Sequence, residues 1–212
     1  MEDGRMDGGS QTTNDGEDQG GSACTAWNTA ECTGTPYCPP RCPRFFDRTG
    51  LPILVQPLQE RDLDRLAGMY ESIESSTLRL PPPTRERIER WLGGLHEKGW
   101  NLVARDDERI VGHVSVVPAD DPTPEVIVFV HEQYHTRGIG TELIKQAIAF
   151  ADERHHELTA LISCRNRRSL SVFENLGFEV VDRKPDLWTR LSLDDPTTAA
   201  VQLPPAERPA TE

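Results

Sequence analysis

An apolar strand pattern followed by two glycines and a helix pattern is the feature that most constrains how this chain can fold. The run Val126–Val130 is apolar and mostly β-branched, which is typical of a strand buried on both faces. Gly138 and Gly140 follow it, and residues 138–154 repeat apolar side chains at helical spacing. The sequence therefore predicts a layered α/β or α+β domain with a strand–loop–helix unit at its centre.

The glycine pair would suit a phosphate ligand. Glycine lets a ligand approach the backbone, and the unpaired N–H groups at a helix start favour an anion. No Gly-Lys-Ser/Thr follows, so the stretch is not a P-loop, and Leu143 occupies the third-glycine position of a dinucleotide fingerprint. A tight turn without a ligand would explain the same glycines, so this stretch alone leaves anion binding open.

Strand and helix patterns surround this unit in the order β-α-α-β-β-β-α-β-α-β-β. The predicted strands cover residues 53–58, 101–105, 110–117, 125–130, 158–163, 178–181 and 187–191, and the predicted helices cover residues 61–75, 84–96, 138–154 and 167–176.

The two ends differ from the middle in composition. Residues 1–50 are rich in Gly, Ser, Thr, Asn and Asp, and residues 193–212 in Asp, Pro, Thr and Ala. Neither end can bury enough apolar surface to offset the entropy of ordering, so we expect both to be disordered. Residues 51–192 then form the folded domain. With no secretory signal and no apolar run long enough for a bilayer, we expect a cytoplasmic protein without membrane contact.

The net charge and the spacing of the cysteines limit which partners and metals the chain is expected to bind. The net charge of −12 comes with no evident basic face, which argues against nucleic acid. The first fifty residues hold four cysteines without a C-x-x-C pair or a histidine, so we expect no metal. A metal-linked interaction role for this segment stays open as an alternative. These cysteines are Cys24, Cys32, Cys38 and Cys42.

A second stretch of sequence supports the interpretation of the first stretch, the apolar strand and the glycine pair. Residues 158–163 lead into Asn166 and then into Ser169-Leu170-Ser171-Val172-Phe173-Glu174-Asn175-Leu176-Gly177-Phe178. The first stretch resembles the strand, Q/R-x-x-G-x-G/A loop and helix of the GNAT superfamily of N-acetyltransferases. The second resembles that family's N…(Y/F)-E-x-L-G-F ending. The resemblance covers about residues 53–192.

This resemblance implies a mixed, mostly antiparallel sheet of six to seven strands, flanked by about four helices and splayed at the cofactor site. It implies transfer of an acetyl or other acyl group from acetyl-CoA to a primary amine, by direct attack in a ternary complex. The acceptor would be a small molecule or a protein, and a homodimer stays open. A non-catalytic acyl-CoA-binding module is the alternative function.

The resemblance also assigns cofactor residues. The pyrophosphate would lie on the backbone of Arg137, Gly138, Ile139, Gly140 and Thr141. The pantetheine arm would run along Phe129, Val130 and His131, with an N–H near Val130 polarising the thioester carbonyl. Asn166 would contact the cofactor from the neighbouring strand.

His135 and Phe173 complete this predicted cofactor-binding set, and both depart from the family pattern. His135 stands where the first motif usually has Gln or Arg, but the glycines that do most of the phosphate work remain. Phe173 stands where the family often has the Tyr that protonates the leaving thiolate. Because phenylalanine cannot donate a proton, that role would pass to water, to another residue or to no group at all.

The amine must lose a proton before or during its attack, because an alkylamine is mostly protonated at neutral pH. Glu125 is the first candidate base, acting through a water, since alternation places it on the strand face of Ile127 and Phe129. His131, at the end of the same strand, is the second. His113, which follows the glycine of the preceding strand, comes after these two, and a hydrogen-bonded core histidine is the alternative role for it.

Overall fold

The structure is a computed structural model that describes residues 31–36, 38–72, 84–194 and 196–208. The end of the helix predicted for residues 61–75, the connection that follows it, and Cys24 lie outside the described residues.

The described chain forms one eight-stranded sheet in the order β1-β2-β3-β4-β5-β6-β8-β7. Neighbouring strands are antiparallel except β5 and β6, which are parallel. The predicted mixed, mostly antiparallel fold class is confirmed, with one strand more than the six to seven expected. The strands are β1 (Arg44–Phe46), β2 (Pro52–Pro57), β3 (Trp100–Asp106), β4 (Arg109–Val117), β5 (Glu125–Val130), β6 (Glu157–Ile162), β7 (Glu179–Asp182) and β8 (Leu187–Ser192).

Four helices of the described residues lie where the periodicity predicts them, to within a few residues, and a fifth short helix lies in the tail that was expected to be disordered. They are α1 (Leu63–Glu71), α2 (Arg85–Lys98), α3 (Ile139–Ala151), α4 (Arg167–Asn175) and the short α5 (Pro196–Ala199). Short 3-10 turns precede α1 and α3.

The sheet separates two hydrophobic clusters, and alternation along β5 contributes to both. Val126, Val128 and Val130 join the cluster that contains the buried face of α3. Ile127 and Phe129 pack against the cluster formed by α1 and α2. Because successive strand residues point to opposite faces, β5 is covered on both sides, which explains its uninterrupted apolar sequence.

The segment before residue 51 differs from the disorder expected for it. β1 pairs with β2, with Phe45 opposite Ile53. Arg41 is 4% exposed, forms a two-pronged ion pair of 2.5 and 2.7 Å with Glu142 on α3, and donates to the carbonyl oxygen of Val201. The described parts of both ends therefore pack on α3. Long-range pairing and a buried ion pair order them, and neither leaves a periodic signal in the sequence.

The described residues contain no membrane-spanning helix, no group of metal ligands and no disulfide. None of their helices is long and apolar enough to cross a membrane. Their His, Cys, Asp and Glu side chains form no group of three or more that could hold a metal ion, and their cysteines form no disulfide.

Candidate active site

β5 and β6 separate shortly after they meet. Within the described strands their pairing registers at one position, Glu125 opposite Thr159. On the other edge of β5, the N–H of His131 donates to the carbonyl oxygen of Val111. Because hydrogen-bonding directions alternate along a strand, the N–H and carbonyl of Val130 point to the β6 side. The end of β5 therefore presents a main-chain N–H to the gap between the two strands.

The glycine loop borders this gap. Gly138 caps the start of α3 with a φ of 88°, a conformation that glycine adopts without strain. The N–H of Glu142 donates to the carbonyl oxygen of Gly138, so the N–H groups of residues 139–141 precede the helical hydrogen-bond ladder. A Cβ built on Gly140 would lie 3.5 Å from a methyl group of Val130. Since the side chain of Ile139 is buried in the core, its backbone is what can meet a ligand.

His135 connects the end of β5 to α4. Its Nε2 lies 2.8 Å from the carbonyl oxygen of Val130, and its Nδ1 lies 2.7 Å from a guanidinium nitrogen of Arg168. A guanidinium can only donate, so Nδ1 accepts and Nε2–H donates to Val130. The sequence pattern marked His135 as a departure from the family but did not indicate Arg168.

Arg137 turns its side chain away from the loop. Its guanidinium lies 4.7 Å from the centre of the Tyr134 ring and 3.7 Å from Oδ2 of the buried Asp47. Tyr134 donates to Asp106 at 2.7 Å, and its pKa is raised by burial and by that hydrogen bond. The turn that carries Asp47 was expected to be disordered, although Asp-x-Thr-Gly is typical of a side-chain-stabilised turn.

The start of α4 faces the same region. Asn166 is exposed and caps the helix, because its side-chain oxygen accepts from the N–H of Ser169 at 3.0 Å. Phe173 is 2% exposed and lies edge-to-face against Phe178, with 4.8 Å between ring centres. Phe173 is therefore a core residue that places an apolar ring where the family often has a hydroxyl.

Three aromatic rings cluster on the opposite face of β5. The rings of Tyr70 on α1, Trp91 on α2 and Phe129 contact each other edge-on. The ring centres are 5.3 Å apart for Tyr70 and Trp91, 5.1 Å for Tyr70 and Phe129, and 6.1 Å for Trp91 and Phe129. Trp91 and Phe129 are half-buried, so this cluster forms an apolar wall beside the end of β5.

A buried hydrogen-bond chain supports this wall. The hydroxyl of Tyr70 lies 2.9 Å from Nδ1 of His113, and Nε2 of His113 lies 3.1 Å from Oδ1 of Asn101. The amide of Asn101 donates to two carbonyl oxygens, so its oxygen accepts from Nε2–H and Nδ1 accepts from Tyr70. Burial lowers the pKa of His113 to about 3. His113 is therefore a buried, hydrogen-bonded core residue, which is the alternative role that the sequence left open for it.

Comparison with known proteins decides the family. A family model described as an acetyltransferase (GNAT) domain matches residues 53–179, well over half of the chain. The chain belongs to the GNAT acetyltransferase family. It is accordingly an acyltransferase, as the two sequence stretches predicted.

Two relatives of this GNAT acyltransferase carry acetyltransferase names. YwnH of Bacillus subtilis (strain 168), named for phosphinothricin acetyltransferase activity, is 29% identical over 130 residues, which is 57% of this chain and 80% of YwnH. The mycothiol acetyltransferase of Mycolicibacterium smegmatis is 36% identical over 69 residues, which is 32% of this chain and 22% of that protein.

Solved structures share the fold of the GNAT chain. The GNAT domain of S. lividans PAT superposes with a TM-score of 0.61 at 20% identity, covering 70% of this chain and 95% of that one. YncA from Salmonella typhimurium, solved with its cofactor acetyl-CoA, gives a TM-score of 0.58 at 19% identity, covering 68% and 95%.

The two candidate bases of this GNAT enzyme lie in different surroundings. His131 is 3% exposed; its Nε2 lies 3.2 Å from a guanidinium nitrogen of Arg109, and its Nδ1 accepts from the N–H of Gln133. Burial and the charge of Arg109 lower its pKa. Glu125 is half-buried on the face of Ile127 and Phe129. The ring nitrogens of His131 thus already face donors, whereas Glu125 lies on the side of the aromatic wall.

An open groove of about 1340 Å³ runs along the edge of β2 in the same GNAT domain. Arg44, Gln56 and Trp100 are among its lining residues, whereas Val130, Gly138 and Gly140 are not. The groove is therefore separate from the gap bordered by the glycine loop and the end of β5.

Proposed function

We propose that this acyltransferase transfers an acetyl group from acetyl-CoA to a primary amine, by direct attack in a ternary complex. The observation that carries the proposal is the open edge of β5 at Val130 beside the glycine-started helix α3. A thioester carbonyl requires an N–H donor of the first kind and a diphosphate requires a helix start of the second kind, with the pantetheine arm between them.

The donor fits the residues present. Gly138 and Gly140 leave room for a diphosphate above the first N–H groups of α3. The N–H of Val130 would donate to the thioester oxygen, and Asn166 would contact the pantetheine arm from the opposite side. The bound donor supplies an activated acetyl group. The chain supplies the orientation and the N–H donors.

The acceptor would approach from the side of Phe129. In the transfer, a bond forms between the amine nitrogen and the carbonyl carbon while the bond from that carbon to sulfur breaks. Glu125 would accept the amine proton. Its Cα lies about 13 Å along the strand from that of Phe129, so water must carry the proton to it. Phe173 has no hydroxyl, and the leaving thiolate would take its proton from solvent.

The half-buried rings of Trp91 and Phe129 favour an amine attached to an apolar group. The likeness to YwnH makes phosphinothricin one acceptor worth testing, beside amino acids, small amines and peptides with a free N-terminus. His131 would line the pantetheine arm rather than act as the base, because its ring nitrogens face Arg109 and Gln133.

The experiment combines binding and turnover. Titration calorimetry with coenzyme A on the full chain should show one-site binding, and acetyl-CoA with an amine panel should release a free thiol. Gly140→Glu is the negative control and should weaken coenzyme A binding, because the new carboxylate would repel phosphate. The substitution should not disturb the fold, because a Cβ at position 140 would make only an ordinary 3.5 Å contact. Absence of binding heat would refute the proposal that acetyl-CoA is the acyl donor. Binding without thiol release on any amine would refute the transfer to an amine.

A further inference from the structure

The turn between β1 and β2 is built around one carboxylate. Oδ1 of Asp47 accepts from the N–H and the hydroxyl of Thr49 at 2.8 and 2.7 Å, and from the N–H of Leu51 at 2.9 Å. Burial alone would raise the pKa of Asp47, but these hydrogen bonds and the charge of Arg137 hold it below the usual value. The turn is therefore a fixed structure with an ionised residue at its centre.

This turn is docked on the glycine loop. The N–H of Arg48 donates to the carbonyl oxygen of Arg137 at 3.0 Å. The guanidinium of Arg137 lies 3.7 Å from Oδ2 of Asp47, on the other side of the same contact. A main-chain bond and an ion pair together hold the turn against the residue that precedes Gly138.

The docking places the side chain of Arg48 beside Gly138. A Cβ built on Gly138 would lie 3.8 Å from both Cγ and Nε of Arg48. The Arg48 side chain is exposed, and no atom of the described residues forms a hydrogen bond or an ion pair with its guanidinium. The other arginines at the loop are engaged, Arg137 with Asp47 and Arg168 with His135.

Arg48 and the N-terminus of α3 form a locally positive surface, because the neighbouring carboxylate of Asp47 is already engaged by Thr49, Leu51 and Arg137. The N-terminus of α3 carries a partial positive charge, so an arginine beside Gly138 meets a charge of its own sign. A bound anion would offset the repulsion and accept from both the guanidinium and the N–H groups of α3.

We propose that Arg48 binds a phosphate group of the nucleotide part of the donor, and that the β1–β2 turn is thus a wall of the donor site. This inference rests on the proposed function. The phosphate is either the diphosphate or the 3′-phosphate of coenzyme A, since both offer the same oxygen acceptors. The consequence is that residues before position 51 take part in donor binding.

The test measures coenzyme A affinity by calorimetry on the full chain and on Arg48→Gln, Arg48→Lys and Arg87→Gln. Arg87 is an exposed arginine on α2, across the sheet, so its variant removes the same charge elsewhere. Arg48→Gln should bind coenzyme A about tenfold more weakly, as expected for loss of one charge-assisted hydrogen bond. Arg48→Lys should recover part of the affinity, and Arg87→Gln should match the native chain.

Dephospho-coenzyme A separates the two phosphates. If Arg48→Gln loses affinity for it by the same factor, the arginine binds the diphosphate; if the loss disappears, it binds the 3′-phosphate. Both results support the proposal. Native affinity for coenzyme A in Arg48→Gln, or an equal loss in Arg87→Gln, would overturn this inference alone. No binding by the native chain would overturn it together with the proposed donor.

Discussion

Nε2 of His135 lies 2.8 Å from the carbonyl oxygen of Val130, so the residue that departs from the family motif is bonded to the strand end beside the proposed donor site. Its other ring nitrogen accepts from Arg168 on α4. One imidazole thus fixes the distance between β5 and α4, the two elements that border the gap. We infer that His135 positions the site through its hydrogen bonds rather than through a charge.

Substitutions of His135 can distinguish a role in positioning the proposed donor site from a role in stabilising the fold. His135→Ala removes both hydrogen bonds, so we expect the KM for acetyl-CoA to rise about two- to tenfold, while the KM for the amine stays unchanged. His135→Gln can restore the bond to Val130 and should recover most of the loss. Steady-state kinetics with each substrate varied in turn measures both constants. Equal effects on both KM values would show that His135 supports the fold and not the donor site.

Glu125→Gln tests the proton acceptor. The amide is nearly the same size but cannot accept a proton, so we expect kcat to fall about 100-fold or more. Affinity for coenzyme A, measured by calorimetry, should not change, because Glu125 lies at the opposite end of β5 from Val130.

The matched control for this substitution is Glu153→Gln, an exposed carboxylate near the end of α3. It should leave kcat at the native value. If Glu125→Gln keeps the native kcat and the native pH profile, another group or the solvent accepts the proton, and Glu125 is an ordinary strand-end residue.

The regular elements could be predicted because each has a local signal. The apolar run of β5 and the helical spacing of α3 depend only on neighbouring residues, and the structure has both within a few residues of the predicted limits. β1 has three residues among prolines and cysteines, and it exists because Phe45 pairs with Ile53 and because Arg41 reaches Glu142, 101 residues away. Contacts of that kind have no sequence period.

The same distinction applies to the candidate site. The glycines and Asn166 could be recognised from motif spacing. The contact of Arg48 with Gly138, the bond between His135 and Arg168, and the chain through His113 join residues that only the fold brings together. The sequence therefore indicated the loop that would hold a ligand, but not the side chains that surround it.

Arg41 should be among the residues on which stability depends most. Its guanidinium and the carboxylate of Glu142 are 5% and 12% exposed, so removing the arginine leaves a largely buried charge without its partner. We expect Arg41→Ala to lower the free energy of unfolding by about 3 kcal/mol, measured by urea denaturation.

Two further variants compare the stability contribution of the buried Arg41–Glu142 ion pair with that of an exposed ion pair. Replacing Arg41 and Glu142 together by methionine should recover most of the loss, because neither charge is then left alone. Arg90→Ala breaks an exposed pair with Glu86 on α2 and should cost less than about 1 kcal/mol. A loss in Arg41→Ala no larger than that in Arg90→Ala would contradict the buried ion pair.

The buried histidine predicts how stability depends on pH. In the folded chain the pKa of His113 is lowered to about 3, whereas an unfolded histidine has a pKa near 6.5. Between these values the unfolded chain binds a proton that the folded chain excludes, so stability is complete above pH 6.5 and falls as the pH falls toward 3. His113 alone should cost about 2 kcal/mol of unfolding free energy between pH 7 and pH 5.

His113→Gln tests this dependence through its slope rather than its absolute stability. Glutamine does not titrate, so the variant should lose about 2 kcal/mol less than the native chain between pH 7 and pH 5, even if it is less stable at pH 7. Urea denaturation at several pH values gives both slopes. His156→Gln is the control, because it removes an exposed histidine and leaves the hydrogen-bond chain of His113 intact. If His113→Gln keeps the native slope, the imidazole admits a proton in the folded state, and the hydrogen-bond chain from Tyr70 to Asn101 does not hold it neutral.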